Sequence, residues 1–518
     1  MASIRSNRTK LALAGLAIAG FTMRVWGIRY GLPYLYHPDE PLGAAVALNM
    51  LKMGDLNPHF FGYGSLFFYL NALAYIPYYL IGEIAGFFHT PADIPSLQQF
   101  VVGVGRTLMP SQIILGRLVS VALGVLCIPV VYWLGSRLSN RQVGLLAAAL
   151  VALSPALVLH SQFITPNILA TLMVLVTLAT LLHLTPQSRW PSYVLVGMAL
   201  GGAVASKYNA AMLGISYLVA CLTLHGWAAL RKFNTYLSPL VAALAFLAVT
   251  PYAVLDWPTF IKDTEFHLSY YTVTSHPGME GNTLEFYVRY LLGQHGVFAF
   301  MGLLPVTSYI KTRNRNGLIL ASFALPYVLY VSTLRIRNDR TILIALPVLL
   351  IMAADFVHMV WQRMARSELF RFRRPAQAAW IAFVAIWLVY PAWQAVEQNI
   401  RSVTPDAREY SRRWIEASVP TGTRIAAEAY SPFIDPERYE VTYFSALILN
   451  SPEWYVEQGY DLLVLSSGAF ARYYNMPERY PAEVAKYDAL PARFSEIARF
   501  DQNGVIVRVL SVGRDHPR

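Results

Sequence analysis

The chain has 518 residues, 56% of them hydrophobic and only 14% charged, with a mean hydropathy of +0.42; a soluble chain carries about a quarter charged residues. That excludes an ordinary soluble globule, and the net charge of +11 reads as topogenic Lys and Arg in short loops, with affinity for anionic headgroups rather than nucleic acid. Cys127 and Cys221 both lie in apolar runs, which indicates no disulfide framework, metal cluster or thiol nucleophile.

The first apolar run, 11–28, follows Arg5, Arg8 and Lys10, which hold the N-terminus in the cytoplasm. Ala19-Gly-Phe-Thr-Met-Arg24 is a poor cleavage context, so the run is read as a retained anchor. His37-Pro38-Asp39-Glu40 then emerges on the opposite face. Two adjacent carboxylates at a membrane exit persist only if the fold supplies water, a cation or a proton to handle. The bland alternative is a pair of solvated acids capping a helix that begins near Pro41.

Ten further runs have crossing length: 112–135, 142–160, 166–184, 191–206, 209–225, 236–255, 286–308, 317–334, 340–360 and 376–395. The eleven spans put most basic clusters, including Arg137/Arg141, Arg231/Lys232 and Arg363/Arg366/Arg371/Arg373/Arg374, on the cytoplasmic side. The run Leu66–Phe88 would invert that order if it crossed, so it is assigned, with Pro77 and Glu83, to an interfacial or re-entrant helix pair. Expected, then, is a mainly α, polytopic helical bundle over 1–396, with outer loops at 30–110 and 256–285. From 397 to 518 the composition turns charged and tyrosine-rich, with strand-like Val441-Thr-Tyr-Phe and Asp461-Leu-Leu-Val-Leu. An odd span count places this small α/β or α+β C-terminal domain outside the cell membrane.

The outer face collects an unusual polar set. It comprises His37, Asp39 and Glu40; His160 and Asn167; Lys207 and Tyr208; His267 and His276; and the cluster Arg335, Arg337, Asp339 and Arg340. That last group breaks the positive-inside rule, as basic residues do when an anionic ligand or an internal acid holds them. Carboxylates with several cations at one membrane face suit a reaction on a phosphorylated lipid: the cations hold phosphate and a carboxylate takes an acceptor's proton. Each piece has a plainer reading, such as aromatic belts, a snorkelling Lys207, or Asp339 pairing with its neighbouring arginines.

Several motifs, in order, resemble the GT-C superfamily of polyprenyl-phosphate-dependent glycosyltransferases, nearest the branch of protein O-mannosyltransferases and lipid A aminoarabinose transferase. They are HPDEP at 37–41 with Gly54-Asp-Leu-Asn-Pro-His-Phe-Phe, Gly64-Ser-Leu-Phe-Phe-Tyr-Leu, Arg117-Leu-Val-Ser, Leu153-Ser-Pro with His160-Ser-Gln-Phe, and Ser206-Lys-Tyr-Asn. The Thr250-Pro-Tyr run and the His276-Pro-Gly loop extend the likeness over about 1–360. The resemblance implies inverting sugar transfer from a polyprenyl-phosphate donor to a protein, lipid or glycan acceptor outside the membrane. Asp39, with Glu40 beside it, is carried over as the catalytic carboxylate. Lys207, Arg337 and Arg340 are assigned to the donor phosphate, and His37, His160, Asn167, Tyr208, His267 and His276 to the substrate loops. Related enzymes often place a second carboxylate where this chain has Asn167, an amide that cannot act as a base. No cofactor is firmly implied; His37, Asp39 and Glu40 are ligand types without diagnostic spacing, which leaves a divalent metal open. The rival readings are a transporter or flippase for a lipid-linked or polar solute, which predicts paired repeats and midplane polar residues, and a non-catalytic scaffold.

Overall fold

A computed structural model describes residues 2–273, 277–366 and 373–513. It opens with α1 (Ala2–Trp26), α2 (Glu40–Met53) and α3 (Ser65–Ile84), then the hairpin β1 (Gln98–Val101) and β2 (Val104–Arg106). The helical body continues through α4 (Pro110–Leu138), α5 (Arg141–Ala152), α6 (Pro155–His160), α7 (Asn167–His183), α8 (Trp190–Ser206), α9 (Leu213–His225) and α10 (Phe233–Val249). Next come α11 (Tyr252–Leu255), α12 (Trp257–Thr272), α13 (Thr283–His295), α14 (Phe298–Met301), α15 (Val306–Thr312), α16 (Arg315–Ser332), α17 (Asp339–Ile342), α18 (Leu346–Arg366) and α19 (Arg373–Val403).

Sequence chemistry sets the breaks. Asn140 starts α5 by accepting from the Gln142 and Val143 N–H groups, and Ser154 starts α6 by accepting from Leu157 N–H with Pro155 at the first turn. Gly54 ends α2 in the left-handed region at φ 64°. Where α8 meets α10, a side chain on Gly201 would collide with the Ala242 carbonyl, so the small residue permits the close helix approach. One continuous core runs through α4, α5, α7, α8, α16 and α18.

Five described helices are long and apolar enough to cross a membrane: Ser65–Ile84, Pro110–Leu138, Tyr208–Arg231, Leu346–Arg366 and Arg374–Ser418. A sixth span arises if Thr283–His295 and Phe298–Thr312, bent by 114°, count as one. The chain is a multi-pass membrane protein. Its expected eleven spans do not appear as eleven helices of crossing length among the described residues. The expected span 142–160 is split at Ser154-Pro155 into α5 and α6, and 236–255 is split at Thr250-Pro251 into α10 and α11. The segment laid on the membrane in the sequence reading, Leu66–Phe88, falls mostly within the single 20-residue helix α3, which is itself long and apolar enough to cross. It packs on α2 and exposes Leu73, Ile81 and Ile84.

The α19 helix runs through the boundary expected at 396, and the chain turns only at 404–406 before α20 (Ala407–Ser418). Beyond it stand β3 (Arg424–Glu428), β4 (Glu440–Phe444), α21 (Pro452–Glu457), β5 (Leu462–Ser466), α22 (Ser467–Tyr474), α23 (Pro481–Arg493), β6 (Ser495–Gln502) and β7 (Val505–Ser511). The sheet order is β4-β3-β5-β7-β6, with β3 parallel to β4 and β5 and the β5–β7 and β7–β6 pairs antiparallel. β5 is buried along its whole length, as its unbroken apolar sequence requires. Helix α20 and α23 cover opposite faces, each with its own apolar cluster. This unit meets the earlier chain at the β1–β2 hairpin, where Phe100 contacts Phe433 and Tyr443 and Tyr430 N–H donates to the Val102 carbonyl at 2.9 Å.

Candidate functional site

The HPDE turn lies between α1 and α2 and splits its two acids. Asp39 sits at the N-cap of α2, but its side chain makes no capping hydrogen bond. It forms an ion pair with Arg340 instead, and both side chains keep partial exposure. Glu40, the next residue, is fully buried. Its two oxygens meet Arg117 Nε at 2.7 Å and Nη2 at 2.6 Å, and Oε1 also accepts from Ile164 N–H at 3.2 Å. Arg117 is 1% exposed and donates further to the Ile28 and Tyr30 carbonyls at 2.7 and 2.9 Å. The expectation that Glu40 works beside Asp39 therefore meets a different geometry: its carboxylate is turned inward and its acceptor capacity is committed to the interior.

His37 braces this turn. Its Nδ1 accepts from the Asp39 and Glu40 N–H groups, each at 3.2 Å, and its ring lies 4.1 Å from that of Phe163. Burial, with positive neighbours at Arg340 and Arg117, pushes the His37 pKa well below the usual imidazole value. It is a neutral acceptor here.

A second half of the cluster hangs on α17. Asp339 accepts from His160 Nε2 at 3.3 Å, so it does not neutralise its neighbouring arginines as the plain reading had it. The His160 ring is 5% exposed and its Nδ1 has no protein partner. Lys207, the residue closing α8, donates from Nζ to Asn167 Oδ1 at 3.0 Å, and Asn167 in turn donates to Thr165 Oγ1 at 3.2 Å. Burial lowers Lys207 to about 8, against the opposing pull of the Asp339 carboxylate. Gly64 lets the loop before α3 lie against this corner, since a side chain there would overlap the Ala205 carbonyl. Asp339 and Arg340, adjacent on α17, join Asp39 to His160, while Lys207 and Asn167 form a separate pair within electrostatic range of Asp339.

Other expected residues stand further out. Arg337 donates to the Met279 carbonyl at 3.1 Å from both Nε and its backbone N–H, and its guanidinium faces the Phe286 ring. It pins the loop before α13 and makes no contact with Asp39. Tyr208 donates to the Phe61 and Tyr63 carbonyls at 3.0 and 3.3 Å, which fixes the loop before α3. His267 sits in an aromatic nest with Phe60, Tyr63 and Phe266, and burial lowers its pKa. His276 lies outside the described residues. Among the described residues no group of three or more His, Cys, Asp or Glu side chains is placed to hold a metal ion.

Sequence reasoning gave no role to Arg117, although its motif was noted, and missed Tyr430 altogether. Tyr430 has φ 62°, a strained value for a ring-bearing residue. Ser466 Oγ donates to its carbonyl at 2.8 Å, Arg472 covers its ring, and Gly103 leaves room for that ring. Its hydroxyl lies within electrostatic reach of Arg340. Replacement by glycine relieves the strain, worth about 1 kcal/mol, yet removes the ring and its packing on Gly103 and Arg472. Tyr430→Gly is therefore expected to melt within a few degrees of wild type; a drop of about ten degrees or more in a melting curve would show that ring packing outweighs the strain.

A family model described as dolichyl-phosphate-mannose-protein mannosyltransferase matches residues 93–253. That stretch holds Arg117, His160, Asn167 and Lys207 but neither Asp39 nor Arg340. No curated protein sequence matches the chain. Among solved structures, ArnT from Cupriavidus metallidurans bound to undecaprenyl phosphate is similar over 99% of this chain and 100% of its own, at 14% identity and a TM-score of 0.56. The archaeal oligosaccharyltransferase AglB from Archaeoglobus fulgidus, in complex with an inhibitory peptide and a dolichol-phosphate, is similar over 99% of this chain and 75% of its own, at 15% identity and a TM-score of 0.55. The resemblance drawn from the sequence motifs holds, and the chain has a GT-C-like fold.

Proposed function

We infer that the protein is an integral-membrane glycosyltransferase that moves a sugar from a polyprenyl-phosphate donor to an acceptor at the extracytoplasmic face. The observation that carries this reading is the partly exposed Asp39–Arg340 ion pair beside the Asp339–His160 contact, with the Lys207–Asn167 pair within electrostatic range of Asp339. Structures of the same fold hold undecaprenyl phosphate in ArnT and dolichol-phosphate in AglB, which favours a polyprenyl-phosphate donor here.

In this reading Asp39 takes the proton of an acceptor hydroxyl or amine as that heteroatom bonds to the anomeric carbon. The bond from the anomeric carbon to the phosphate oxygen breaks, and its electron pair leaves with the lipid phosphate on the opposite face of the sugar. Arg340 and Lys207 meet the leaving charge. Before the donor binds, Arg340 holds Asp39; the donor phosphate competes for the guanidinium and frees the carboxylate. Glu40 and Arg117 act as positioning residues, fixing the turn from behind. The helical part through α19, which ends at Val403, forms the catalytic body, with the N-terminus cytoplasmic and the unit from α20 onward on the acceptor side.

The test is transfer of labelled sugar from polyprenyl-phosphate donors by membranes that contain the protein. Incorporation into an extracytoplasmic acceptor is expected; no transfer from any such donor would remove the reading. A pH series adds a sharper arm. Lys207 holds phosphate only when protonated, and its pKa of about 8 places the loss of kcat/KM above that value. Bound phosphate favours the charged form, so the kcat limb lies higher. Lys207→Arg should carry the alkaline limb of kcat/KM upward by more than a unit, because guanidinium stays protonated. An unmoved limb would assign that titration to another group.

A further inference from the structure

At the far end of α4 from the HPDE turn, a groove of about 440 Å³ opens between α5, α18 and α19. Val143, Leu146 and Ala354 form its floor, and Trp361, Trp380 and Ala385 form its walls. The gap marks a thin contact: among the described residues of α19 only Pro391, Ala395 and Asn399 are buried, and Trp380 Nε1 reaches the Val357 carbonyl at a long 3.3 Å. A gap between helices at acyl depth gains nothing from water and forfeits the dispersion contacts on which helix association in lipid relies.

The rim supplies the second half of the argument. Arg141 immediately precedes α5's groove-lining Gln142, Arg363 follows Trp361 by two residues on α18, and Arg366 ends that helix. Arg374 lies one helical turn and a half before Trp380, about 9 Å along the axis. All four arginines are exposed. Among the described residues none of them forms an ion pair or side-chain hydrogen bond. Four exposed guanidinium groups at the ends of the three helices that line an apolar, tryptophan-containing slot match a phosphate on a diacyl chain: forks for the phosphate oxygens and an apolar trough for methylenes.

We propose that this groove is a binding site for an anionic glycerophospholipid, whose acyl chain fills the slot and whose headgroup is held by Arg141, Arg363, Arg366 and Arg374. The lipid wedges the first half of α19 against α5 and α18. It is not the donor site, because Arg117 and Leu138 on α4 are separated by about 30 Å along the helix. Excess positive charge selects a net-negative headgroup over a zwitterionic one, and the tail only needs to be long and apolar.

The full-length protein, purified in mild detergent, is to be examined by native mass spectrometry and by thermal melting with added phosphatidylglycerol or phosphatidylcholine. Phosphatidylglycerol is expected to co-purify and to raise the melting midpoint by several degrees, with phosphatidylcholine giving less than a third of that shift. The exposed quadruple variant R141Q/R363Q/R366Q/R374Q should bind phosphatidylglycerol at least ten-fold more weakly, and A385F, which fills the slot and keeps every arginine, should lose the shift. Equal shifts from both lipids would overturn the headgroup assignment. An undiminished shift in A385F would overturn the groove. Neither readout depends on sugar transfer, so this proposal and the glycosyltransferase reading fail separately.

Discussion

An Asp39→Asn enzyme is expected to lose about 10³-fold in turnover while keeping or improving its apparent hold on the donor. The amide keeps the shape of the carboxylate but cannot take a proton from an acceptor. It also releases Arg340, which the wild-type carboxylate occupies, so the guanidinium is free for phosphate from the start. Arg340, 26% exposed, loses its counter-charge in this variant, so some stability is lost with it and rates must be counted per folded molecule. Initial rates at several donor concentrations, normalised to the amount of protein in the membrane, separate the possibilities. A structural role would depress protein level and leave the ratio of kcat to KM per folded molecule unchanged. Retention of more than a tenth of wild-type turnover would remove Asp39 from the proton transfer.

The opposite pattern is expected one residue later. Arg117→Met leaves Glu40 charged, dry and without its partner, and breaking a buried pair from one side costs about 3–5 kcal/mol. The variant should therefore be poorly recovered and melt far below wild type, with activity lost only in proportion to folded protein. The double variant Glu40→Met/Arg117→Met removes both charges together. It should recover a large part of the stability, because the cost of the single change lies mainly in the stranded charge rather than in the lost bond. Detergent-solubilised melting curves of wild type, both singles and the double complete the cycle. A double variant as unstable as the sum of the singles would mean that Glu40 and Arg117 act independently.

The sequence made the membrane class, the GT-C likeness and the cluster partners legible for one physical reason: charge is expensive beside lipid. Asp39, Lys207 and Arg340 each stood out against an apolar background, and the structure brings Asp39 against Arg340 and pairs Lys207 with Asn167. The strands at 441 and 462 were equally readable, as β-branched and aromatic runs between turns. What could not be read was direction. Nothing local distinguishes Asp39 from Glu40; the distinction comes from Arg117, 77 residues away in sequence. Likewise Arg337 and Arg340 share one short segment, yet one grips backbone carbonyls and the other an acid. Tyr430 was invisible because its role depends on a β-turn conformation, Ser466 and a hairpin near residue 102, none of which leaves a pattern around it. Helix lengths could not be read where prolines cut apolar runs into short helices, since apolar composition records hydrophobicity and not continuity.

The split between Asp39 and Glu40 reaches beyond catalysis. In the first turn of a helix, consecutive side chains diverge by roughly 100°, so one letter of the pair is addressed to Arg340 and the next to the interior. Exchanging the letters would conserve mass, charge and hydropathy, yet it would aim the longer arm outward and the shorter arm at Arg117. Chemical identity in this turn is carried by phase along the helix, and composition is blind to it.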